Sequence, residues 1–451
     1  MVEARTGGTG VWSHGRAPTT VGILLLISLT AFEAMGVGTA MPAVVADLGG
    51  IARYAWPFVL FLAAAVLGTV AGGRWCDVRG PRVPLVAAPV LFGAGLLVAG
   101  FATTMTGLLA GRVLQGLGAG AQGVAVYVLV AEVYPTRARP VVFGLISSAW
   151  VLPALVGPPL AGLVTEHLSW HWVFLGLLPV VGLALVLVTP VVRVLRPPAG
   201  PAVGGHGAGL VPAALGAAIG VAGLSWALEN LDPGGAVAGV VAVAALVPSL
   251  RRLLPRGTVL ARPGIAAVVA ARGLVAAAFF PVVSFLPLVL TATHGWSLTA
   301  AGTPLIVASL GWSAAAAWQA RRPGSDRSVM LRAGFATIAA GQLALVPVAA
   351  GLLPGWLAVG FWGVSGLGMG VAFSAIAYLT LAHSDAHDVG SHSSAAQLLD
   401  QLATAAFVGL GGALLVALGS PAVALPVLLV VVAVPAVAGA LTASRTRVPG
   451  R

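Results

Sequence analysis

The amino-acid sequence predicts an all-α polytopic membrane protein, built from two six-helix repeats with a two-helix insertion between them. Three observations carry this prediction: the composition, fourteen apolar stretches of bilayer length, and a glycine pattern that recurs at a fixed distance. Of the 451 residues, 59% are hydrophobic and only 8% are charged, and the mean hydropathy is +1.02. A water-soluble domain of this composition would expose large apolar patches, so the membrane is the expected solvent.

Fourteen apolar stretches, which we call runs 1 to 14, each approach the roughly 20 residues that a helix needs to cross a bilayer. In chain order they are 20–43, 54–71, 83–103, 107–130, 141–164, 172–192, 210–228, 235–254, 264–291, 298–319, 330–352, 356–382, 393–418 and 421–441. Run 1 is longer than the apolar core of a signal peptide, and no clear cleavage site accompanies it. We therefore expect run 1 to be a retained first helix.

The arginines predict the orientation of these runs, because cytoplasmic loops of membrane proteins are enriched in basic residues. All 23 basic residues are arginine. With the N-terminus in the cytoplasm, every arginine lies in or beside a cytoplasmic loop or tail except Arg53, Arg112 and Arg272. We expect a multi-pass protein of the cell (plasma) membrane with both termini cytoplasmic. No basic patch is interleaved with aromatic residues, so the lipid bilayer is an expected partner and a nucleic acid is not.

An internal duplication divides the runs into two sets of six. The sequence GLGAG at 116–120 recurs 250 positions later as GLGMG at 366–370, and the same offset carries the arginine-rich loop 72–82 onto 322–332. Chance recurrence in a chain with 61 glycines is the alternative interpretation. Parallel repeats around a central cavity are the usual plan of secondary transporters. The predicted domains are a tail (1–19), a first bundle (20–192), an inserted hairpin with linkers (193–262), a second bundle (263–441) and a tail (442–451).

Run 4 carries a polar face, because Arg112, Gln115 and Gln122 are spaced to lie on one side of a helix. An arginine buried in a membrane costs at least a few kcal/mol, so it should face protein or water and have a partner. Alternatively, Arg112 lies close enough to the helix end to extend its side chain to the headgroups. The equivalent position in the second half is Trp362. We therefore assign the ionic chemistry to the first half.

Only two of the twelve acidic residues, Glu33 in run 1 and Asp400 in run 13, lie well inside runs. Asp400 shares a helical face with Gln397 and Gln401, and such a polar stripe suits water or a ligand. A carboxylate removed from water binds a proton more readily, whereas an ion pair with a buried arginine opposes this. Alternately forming and breaking such a pair would couple protonation to conformation, and either carboxylate could carry the proton. The predicted substrate-cavity residues are Gln115, Gln122, Arg272, Gln397 and Gln401.

The sequence predicts neither a metal site nor a cofactor. The single cysteine, Cys76, excludes an intramolecular disulfide. His383, His387 and His392 alternate with acids in the loop after run 12, which we interpret as a solvated polar loop and not as a metal site. A chain without lysine has no phosphate-binding loop of the ATPase type, so a proton gradient is the expected energy source.

Five motifs, in order along the chain, resemble those of the major facilitator superfamily, and more narrowly of its fourteen-helix drug/proton antiporter branch. FEAMGVGTAMP in run 1 has Glu33 where the branch usually has aspartate, and GGRWCDVRGPR follows run 2. RVLQGLGAG in run 4 matches closely, LVGPPLAG lies in run 5, and SWHWVFLGLLP begins run 6. In the loop after run 2, Val78 and Pro81 stand where basic residues are usual. The resemblance spans the whole chain.

The resemblance implies roles for particular residues. It gives Arg112 the role of a proton-coupling arginine, which adds to the proton-coupling candidates Glu33 and Asp400 identified above from their position inside helices. It also implies that the loop after run 2 and the glycine-proline pair of run 5 act in gating, the latter because proline permits a helix to kink. The gating residues that it implies are Gly73, Asp77, Gly80, Arg82, Gly157, Pro158 and Gly162.

These observations favour a proton-coupled antiporter that exports drug-like or amphipathic small molecules by alternating access, with the substrate and protons as its small partners. The alternative on the same fold is an exporter of a physiological solute, such as a secondary metabolite, a lipid or an amino acid. A membrane-embedded enzyme or receptor is a third interpretation. The sequence argues against an enzyme, since it has no catalytic cluster of His, Asp or Ser at a membrane surface.

Overall fold

The computed structural model describes residues 11–13, 16–195, 209–322, 324–385 and 388–448. Parts of the predicted tails (1–10, 14–15 and 449–451), part of the linker (196–208) and His387 lie outside the described residues. The helices are α1 (Ala17–Leu48), α2 (Trp56–Arg79), α3 (Arg82–Gly100), α4 (Met105–Val133), α5 (Arg139–Ser148), α6 (Val151–His167), α7 (His171–Leu175), α8 (Leu178–Val194), α9 (Leu210–Glu229), α10 (Pro233–Leu253), α11 (Ile265–His294), α12 (Leu298–Ala301), α13 (Thr303–Ala320), α14 (Arg327–Ala349), α15 (Leu357–Ala382), α16 (Val389–Leu418) and α17 (Pro421–Thr442).

Fourteen candidate membrane spans run through the described residues, and each overlaps one predicted run. The fourteen-helix prediction is therefore confirmed. Three spans consist of two consecutive helices: α5 with α6, α7 with α8, and α12 with α13. Capping residues, and not hydropathy, set several helix ends. Gly49 ends α1 with a φ of 117°, and Asp232 begins α10 by accepting a hydrogen bond from the backbone N–H of Gly235 at 2.7 Å.

The fifth span is interrupted at residues 149–150, between α5 and α6. Pro153 accounts for the break, because a proline has no N–H for the carbonyl of residue 149 and its ring clashes with that carbonyl. The Gly157–Pro158 pair, at which the sequence permits a kink, lies inside α6, and the helix continues through it. The break thus occurs nearer to the start of the span.

In the first six-helix half, α4 packs against α2 and α3, and α1 packs against α6 and α8. Two glycines bring the backbones of α4 and α2 into contact. A Cβ atom on Gly116 would overlap the carbonyl oxygen of Phe61, and one on Gly120 would overlap that of Ala65. This spacing of small residues is the usual device for close helix packing in membranes, where lipid supplies no hydrophobic drive between helices.

The second half repeats this arrangement with α15 in place of α4 and α13 in place of α2. A Cβ atom on Gly366 would overlap the carbonyl oxygen of Ala308, and one on Gly370 would overlap that of Trp312. The four glycines are those of the duplicated pentamer, so the repeat seen in the sequence is a repeat of helix packing. The fold is two six-helix repeats with a two-helix insertion.

The inserted hairpin consists of α9 and α10, which pack against each other. Helix α9 also packs against α2 of the first half and α16 of the second half. Its Ser225 lies against Gly409 of α16, where any Cβ atom would overlap the serine hydroxyl. The hairpin is therefore in contact with both halves.

The two ends of the helix bundle differ in charge. We call the end at which α1 begins the arginine-rich face, and the end at which Arg53 lies the opposite face, since consecutive spans alternate in direction. At the opposite face, the hydroxyl of Tyr54 donates to the carbonyl oxygen of Ser284 at 2.7 Å. The Glu166 carboxylate there accepts hydrogen bonds from the backbone N–H of Thr299 at 3.1 Å and from its hydroxyl at 2.6 Å. These bonds join the two halves, so the opposite face is closed.

Candidate functional site

Arg112 lies in the interior of the first half, with 2% of its side chain exposed. Its Nη1 donates to Glu33 Oε1 of α1 and, at 2.6 Å, to Gln115 Oε1 one turn along α4. Its Nε donates to the carbonyl oxygen of Pro57 in α2 at 2.9 Å, and its guanidinium lies 4.4 Å from the ring centre of Phe61. The interpretation that Arg112 extends to the headgroups is wrong, because protein groups surround the charge.

Glu33 is the partner that the buried arginine requires. Its side chain is 1% exposed, and its Oε1 accepts from Arg112. Its second oxygen, Oε2, is buried and accepts no hydrogen bond from any described residue. A buried carboxylate oxygen without a donor is unfavourable unless it carries a proton or gains a partner. The ionised Glu33 carboxylate is therefore stabilised by Arg112 through Oε1, and its Oε2 is available to bind a proton.

Gln115 and Gln122, predicted to line a cavity, are buried between helices in this conformation: Gln115 lies against Gly95 of α3, and Gln122 lies against α1. Gln115 is fully buried and Gln122 is 2% exposed. Gln122 Nε2 donates to the carbonyl oxygen of Leu26 at 2.8 Å and to the hydroxyl of Thr30 at 3.2 Å. The polar face of α4 thus binds α1, and one polar atom on each glutamine is buried without a partner.

The second interior arginine forms a second ion pair. Arg272 Nε of α11 donates to Asp400 Oδ2 of α16 at 2.6 Å, and the two side chains are 20% and 14% exposed. The guanidinium of Arg272 also lies 3.8 Å from the ring centre of Phe373 on α15. Of the predicted neighbours on α16, Gln397 is exposed and Gln401 is half-buried with its Oε1 unpartnered. The two interior arginines, the buried Arg112 and the partly exposed Arg272, are therefore paired with the two intramembrane acids.

Sequence reasoning missed an aromatic cluster beside this second pair. Phe373 packs 5.0 Å from Trp312, which meets Phe279 edge-on at 6.0 Å, and Phe279 stacks on Trp362 at 4.5 Å. Trp362 occupies the position that Arg112 occupies in the first half. From the sequence, Trp362 is recognised only as the position at which the second half lacks an arginine. The cluster itself cannot be predicted, because its residues come from three separate helices.

The predicted gating loop after α2 is attached to its own half. Arg82 Nε donates to the carbonyl oxygen of Val192 at 3.1 Å, and its Nη2 donates to that of Arg193 at 2.5 Å. Gly80 has a φ of 79°, a conformation that favours glycine. Asp77 is exposed, and Gly73 has no neighbour closer than ordinary contact. In the corresponding loop of the second half, hydrogen bonds from Ser328 lower the pKa of Asp326, which caps α14.

Of the predicted gating residues of the fifth span, Gly162 and Pro158 lie where the halves meet, whereas Gly157 faces α1 of its own half. A Cβ atom on Gly162 would lie 2.6 Å from both the Cα and the N of Thr299, so α6 and α12 touch through their backbones. Pro158 is buried beside Gly302, the residue between α12 and α13. Gly157 faces Phe32 of α1 at an ordinary 3.5 Å. Gly162 is the member of this set that the closed face requires.

The loop after α15 has local hydrogen bonds. His383 Nε2 lies 3.0 Å from the carbonyl oxygen of Thr446, and His392 Nδ1 lies 2.7 Å from the hydroxyl of Ser384. The described residues contain no group of three or more His, Cys, Asp or Glu side chains that could hold a metal ion.

Comparison with known proteins adds the family context. The chain matches the model of the Major Facilitator Superfamily over residues 23–408. It is 34% identical over 200 residues to the Acurin A biosynthesis cluster MFS-type transporter of Aspergillus aculeatus, covering 42% of this chain and 36% of that one. It is 30% identical over 168 residues to Multidrug resistance protein 3 of Bacillus subtilis, covering 37% and 33%. It is also 30% identical over 165 residues to Vacuolar basic amino acid transporter 5 of Saccharomyces cerevisiae, covering 37% and 28%.

Solved structures agree at the level of the fold. A crystal structure of an auto-inhibited POT family peptide transporter superposes with a TM-score of 0.64 at 16% identity, covering 96% of this chain and 98% of that one. A peptide transporter POT in complex with sulfate gives 0.68 at 17% identity, with coverages of 96% and 94%. The sequence alignments, by contrast, span about a third of the length of the curated relatives.

Proposed function

Because this chain belongs to the Major Facilitator Superfamily, and so is a multi-pass membrane transporter and not an enzyme, we propose that it is a proton-coupled antiporter. In this proposal it exports drug-like or amphipathic small molecules across the cell membrane by alternating access. The arginine-rich face, with both termini, is on the cytoplasmic side, as the distribution of arginines indicates.

The Glu33–Arg112 pair is the observation that carries the proposal. The charges lie in a dry interior, where either one left alone is strongly unfavourable. Binding of a proton to Glu33 Oε2 neutralises the carboxylate and weakens its hold on Arg112. Arg112 also donates hydrogen bonds to the Pro57 carbonyl oxygen and to Gln115. Because these bonds do not require a charge on Glu33, they can stabilise the Arg112 guanidinium when Glu33 is protonated. Proton binding and helix arrangement are thereby linked.

The Arg272–Asp400 pair is suited to binding the substrate. Its charges are partly exposed, and its guanidinium lies on an aromatic ring. An organic cation with a flat apolar part can stack on the same aromatic cluster and use the Asp400 carboxylate. Because Arg272 and Asp400 already form an ion pair in this structure, a cationic substrate must compete with Arg272 for the Asp400 carboxylate. A proton bound to Asp400 would oppose binding of the cation.

Transport in proteoliposomes tests this function. Vesicles with an acidic interior and an alkaline exterior should accumulate a cationic dye, since proton efflux drives substrate entry in an antiporter. A panel of cationic dyes and neutral antibiotics covers the charge classes. We expect gradient-driven uptake to be lost in Arg112→Ala and Glu33→Gln, whereas the exposed Arg53→Ala, a matched loss of one arginine, should transport normally.

Uptake that persists in both interior variants, or that ignores the pH gradient, contradicts proton coupling through this pair. Movement of a panel member down its own gradient without proton flow indicates a uniporter on the same fold.

The relatives support a second candidate, the export of a physiological solute. One is described as belonging to a biosynthesis cluster and another as a basic amino acid transporter. A secondary metabolite or a basic amino acid carries groups that Asp400 and the aromatic cluster can bind. The same vesicles loaded with labelled arginine or lysine separate this candidate from drug export.

A further inference from the structure

Glu229, the last residue of α9, lies where the inserted hairpin meets both halves. Its Oε2 accepts a hydrogen bond from the indole N–H of Trp56, at the start of α2, at 2.8 Å. On its other side lies α16, where a Cβ atom on Gly412 would be 3.1 Å from Glu229 Oε1 and 2.5 Å from the Cβ of Ala55. The absence of a side chain at Gly412 thus leaves the space that the carboxylate fills.

The second oxygen of this carboxylate has no donor. The Glu229 side chain as a whole is half-buried. Its Oε1, however, is buried without a hydrogen bond, and Glu229 forms no ion pair with any described residue. Glu166, a carboxylate that joins the two halves at this face, differs in that both oxygens accept hydrogen bonds from Thr299. In the closed opposite face, both carboxylate oxygens of Glu166 accept hydrogen bonds, whereas only one of the two oxygens of Glu229 does.

No nearby charge compensates Glu229. The residues facing it from α2 and α16 are Ala55, Trp56 and Gly412, none of which titrates in the physiological range. Asp232, at the start of α10, uses its carboxylate to cap that helix, and the exposed Arg53 lies before α2 outside any ion pair with Glu229. A proton on Oε1 would remove the buried charge and leave the bond from Trp56 to Oε2 intact.

We propose that Glu229 is a second proton-binding site, built by the inserted hairpin, and that a proton held there keeps the opposite face closed. Opening this face separates the first half from the second, so α9 loses either α2 or α16 and water reaches the carboxylate. The open form then favours the ionised carboxylate and the closed form the protonated one. By linkage, raising the pH at this face favours opening. The inference goes beyond the proposed function, since it requires neither a substrate nor the Glu33–Arg112 pair.

Distance measurements between spin labels test the proposal without transport. In a Cys76→Ala background in lipid nanodiscs, labels at Phe101→Cys and Leu352→Cys report on the opposite face, because these residues lie in its loops in different halves and are 71% and 77% exposed. Between pH 5.5 and pH 8.5 we expect the long-distance population to rise about fivefold or more, a coupling of ordinary size for allosteric proteins. In Glu229→Gln, which keeps the acceptor for Trp56 and carries no charge, the short distance should dominate at both pH values.

Two further variants keep the outcome decisive. Asp47→Asn is the matched control, because Asp47 also accepts a hydrogen bond from an indole N–H at this face, that of Trp170 at 2.9 Å, but joins elements of the first half only; it should keep the full pH response. Glu229→Asp should keep a response with its midpoint at lower pH, because the shorter side chain is withdrawn from the buried position. An unchanged pH response in Glu229→Gln overturns the proposal. Repeating the series in a Glu33→Gln background separates the two sites: a response that survives there and disappears with Glu229→Gln supports the hairpin site whatever the fate of the antiporter proposal.

Discussion

At the scale of single residues, the two interior ion pairs differ in how much water reaches them. The side chains of Arg112 and Glu33 are 2% and 1% exposed, whereas those of Arg272 and Asp400 are 20% and 14% exposed. Removing one partner of a fully buried pair leaves an uncompensated charge, which is far more unfavourable than the pair itself is favourable. Solvent screens partly exposed charges, so removing one partner of such a pair lowers the free energy of unfolding by less. The same substitution should therefore have different effects at the two sites.

We expect Arg112→Ala to lower the free energy of unfolding by about 3–5 kcal/mol, because it leaves the Glu33 carboxylate buried and alone. The double variant Arg112→Ala with Glu33→Gln should lose less than the sum of the losses in Arg112→Ala and Glu33→Gln, since it leaves no charge behind. Thermal unfolding in detergent, followed by tryptophan fluorescence, measures both. Additive losses would show that the two side chains are not coupled.

Asp400→Asn should lower the free energy of unfolding by only about 1 kcal/mol, because Arg272 keeps its position on Phe373 and remains in contact with water. Glu33→Gln provides the comparison, as both changes convert a paired acid to its amide. The same unfolding assay ranks them. If Asp400→Asn destabilises as much as Glu33→Gln, the second pair is as dry as the first in the membrane.

At the scale of helices, close backbone contacts decide which elements can move past one another. Helix α6 reaches α12 only because Gly162 has no side chain, and this contact helps to close the opposite face. Gly157, one and a half turns earlier on α6, faces the ring of Phe32 with ordinary spacing. The two glycines of the same motif therefore have different structural requirements.

Gly162→Ala should open the opposite face, because the new methyl group would lie 2.6 Å from the backbone of Thr299 and force α6 and α12 apart. Gly157→Ala, the matched change, meets its nearest atom at 3.5 Å and should be tolerated. The rate at which a maleimide labels Thr303→Cys at the start of α13 reports on this contact. Equal labelling rates in the two variants would exclude a role of Gly162 in closure.

The sequence predicted the helices well and their internal breaks poorly. Hydropathy identified all fourteen spans, because the length of each is set by the bilayer. The break between α5 and α6 depends on Pro153, one of several prolines in that span, and hydropathy does not distinguish among them. The candidate site shows the same limit. The sequence identified two interior arginines and two interior acids, but the pairing of Arg272 with Asp400, 128 residues apart, follows from tertiary packing.

At the scale of the whole molecule, charge is distributed unequally between the two faces. The arginines gather at one face, whereas the hydrogen bonds of Tyr54 and Glu166 close the other. If the arginine-rich face is cytoplasmic, the structure has its external side closed.

Cysteine labelling in intact cells tests this orientation. In the Cys76→Ala background, Arg53→Cys should react with a membrane-impermeant maleimide, because Arg53 is exposed at the opposite face. Ser444→Cys, exposed near the C-terminal end of the last span, should react only after the cells are permeabilised. The reverse pattern would invert the topology and with it the direction of transport proposed here.

The contact between α2 and α4 restricts the mechanics of the first half. Gly116 and Gly120 place the two backbones against each other, and Arg112 is further bonded to the carbonyl oxygen of Pro57 in α2. The two helices thus form one rigid plate in which Arg112 has a fixed position. We therefore expect the ion pair to separate mainly by displacement of α1, which carries Glu33, away from α2 and α4. In the proposed mechanism, Arg112 therefore stays in place and α1 moves.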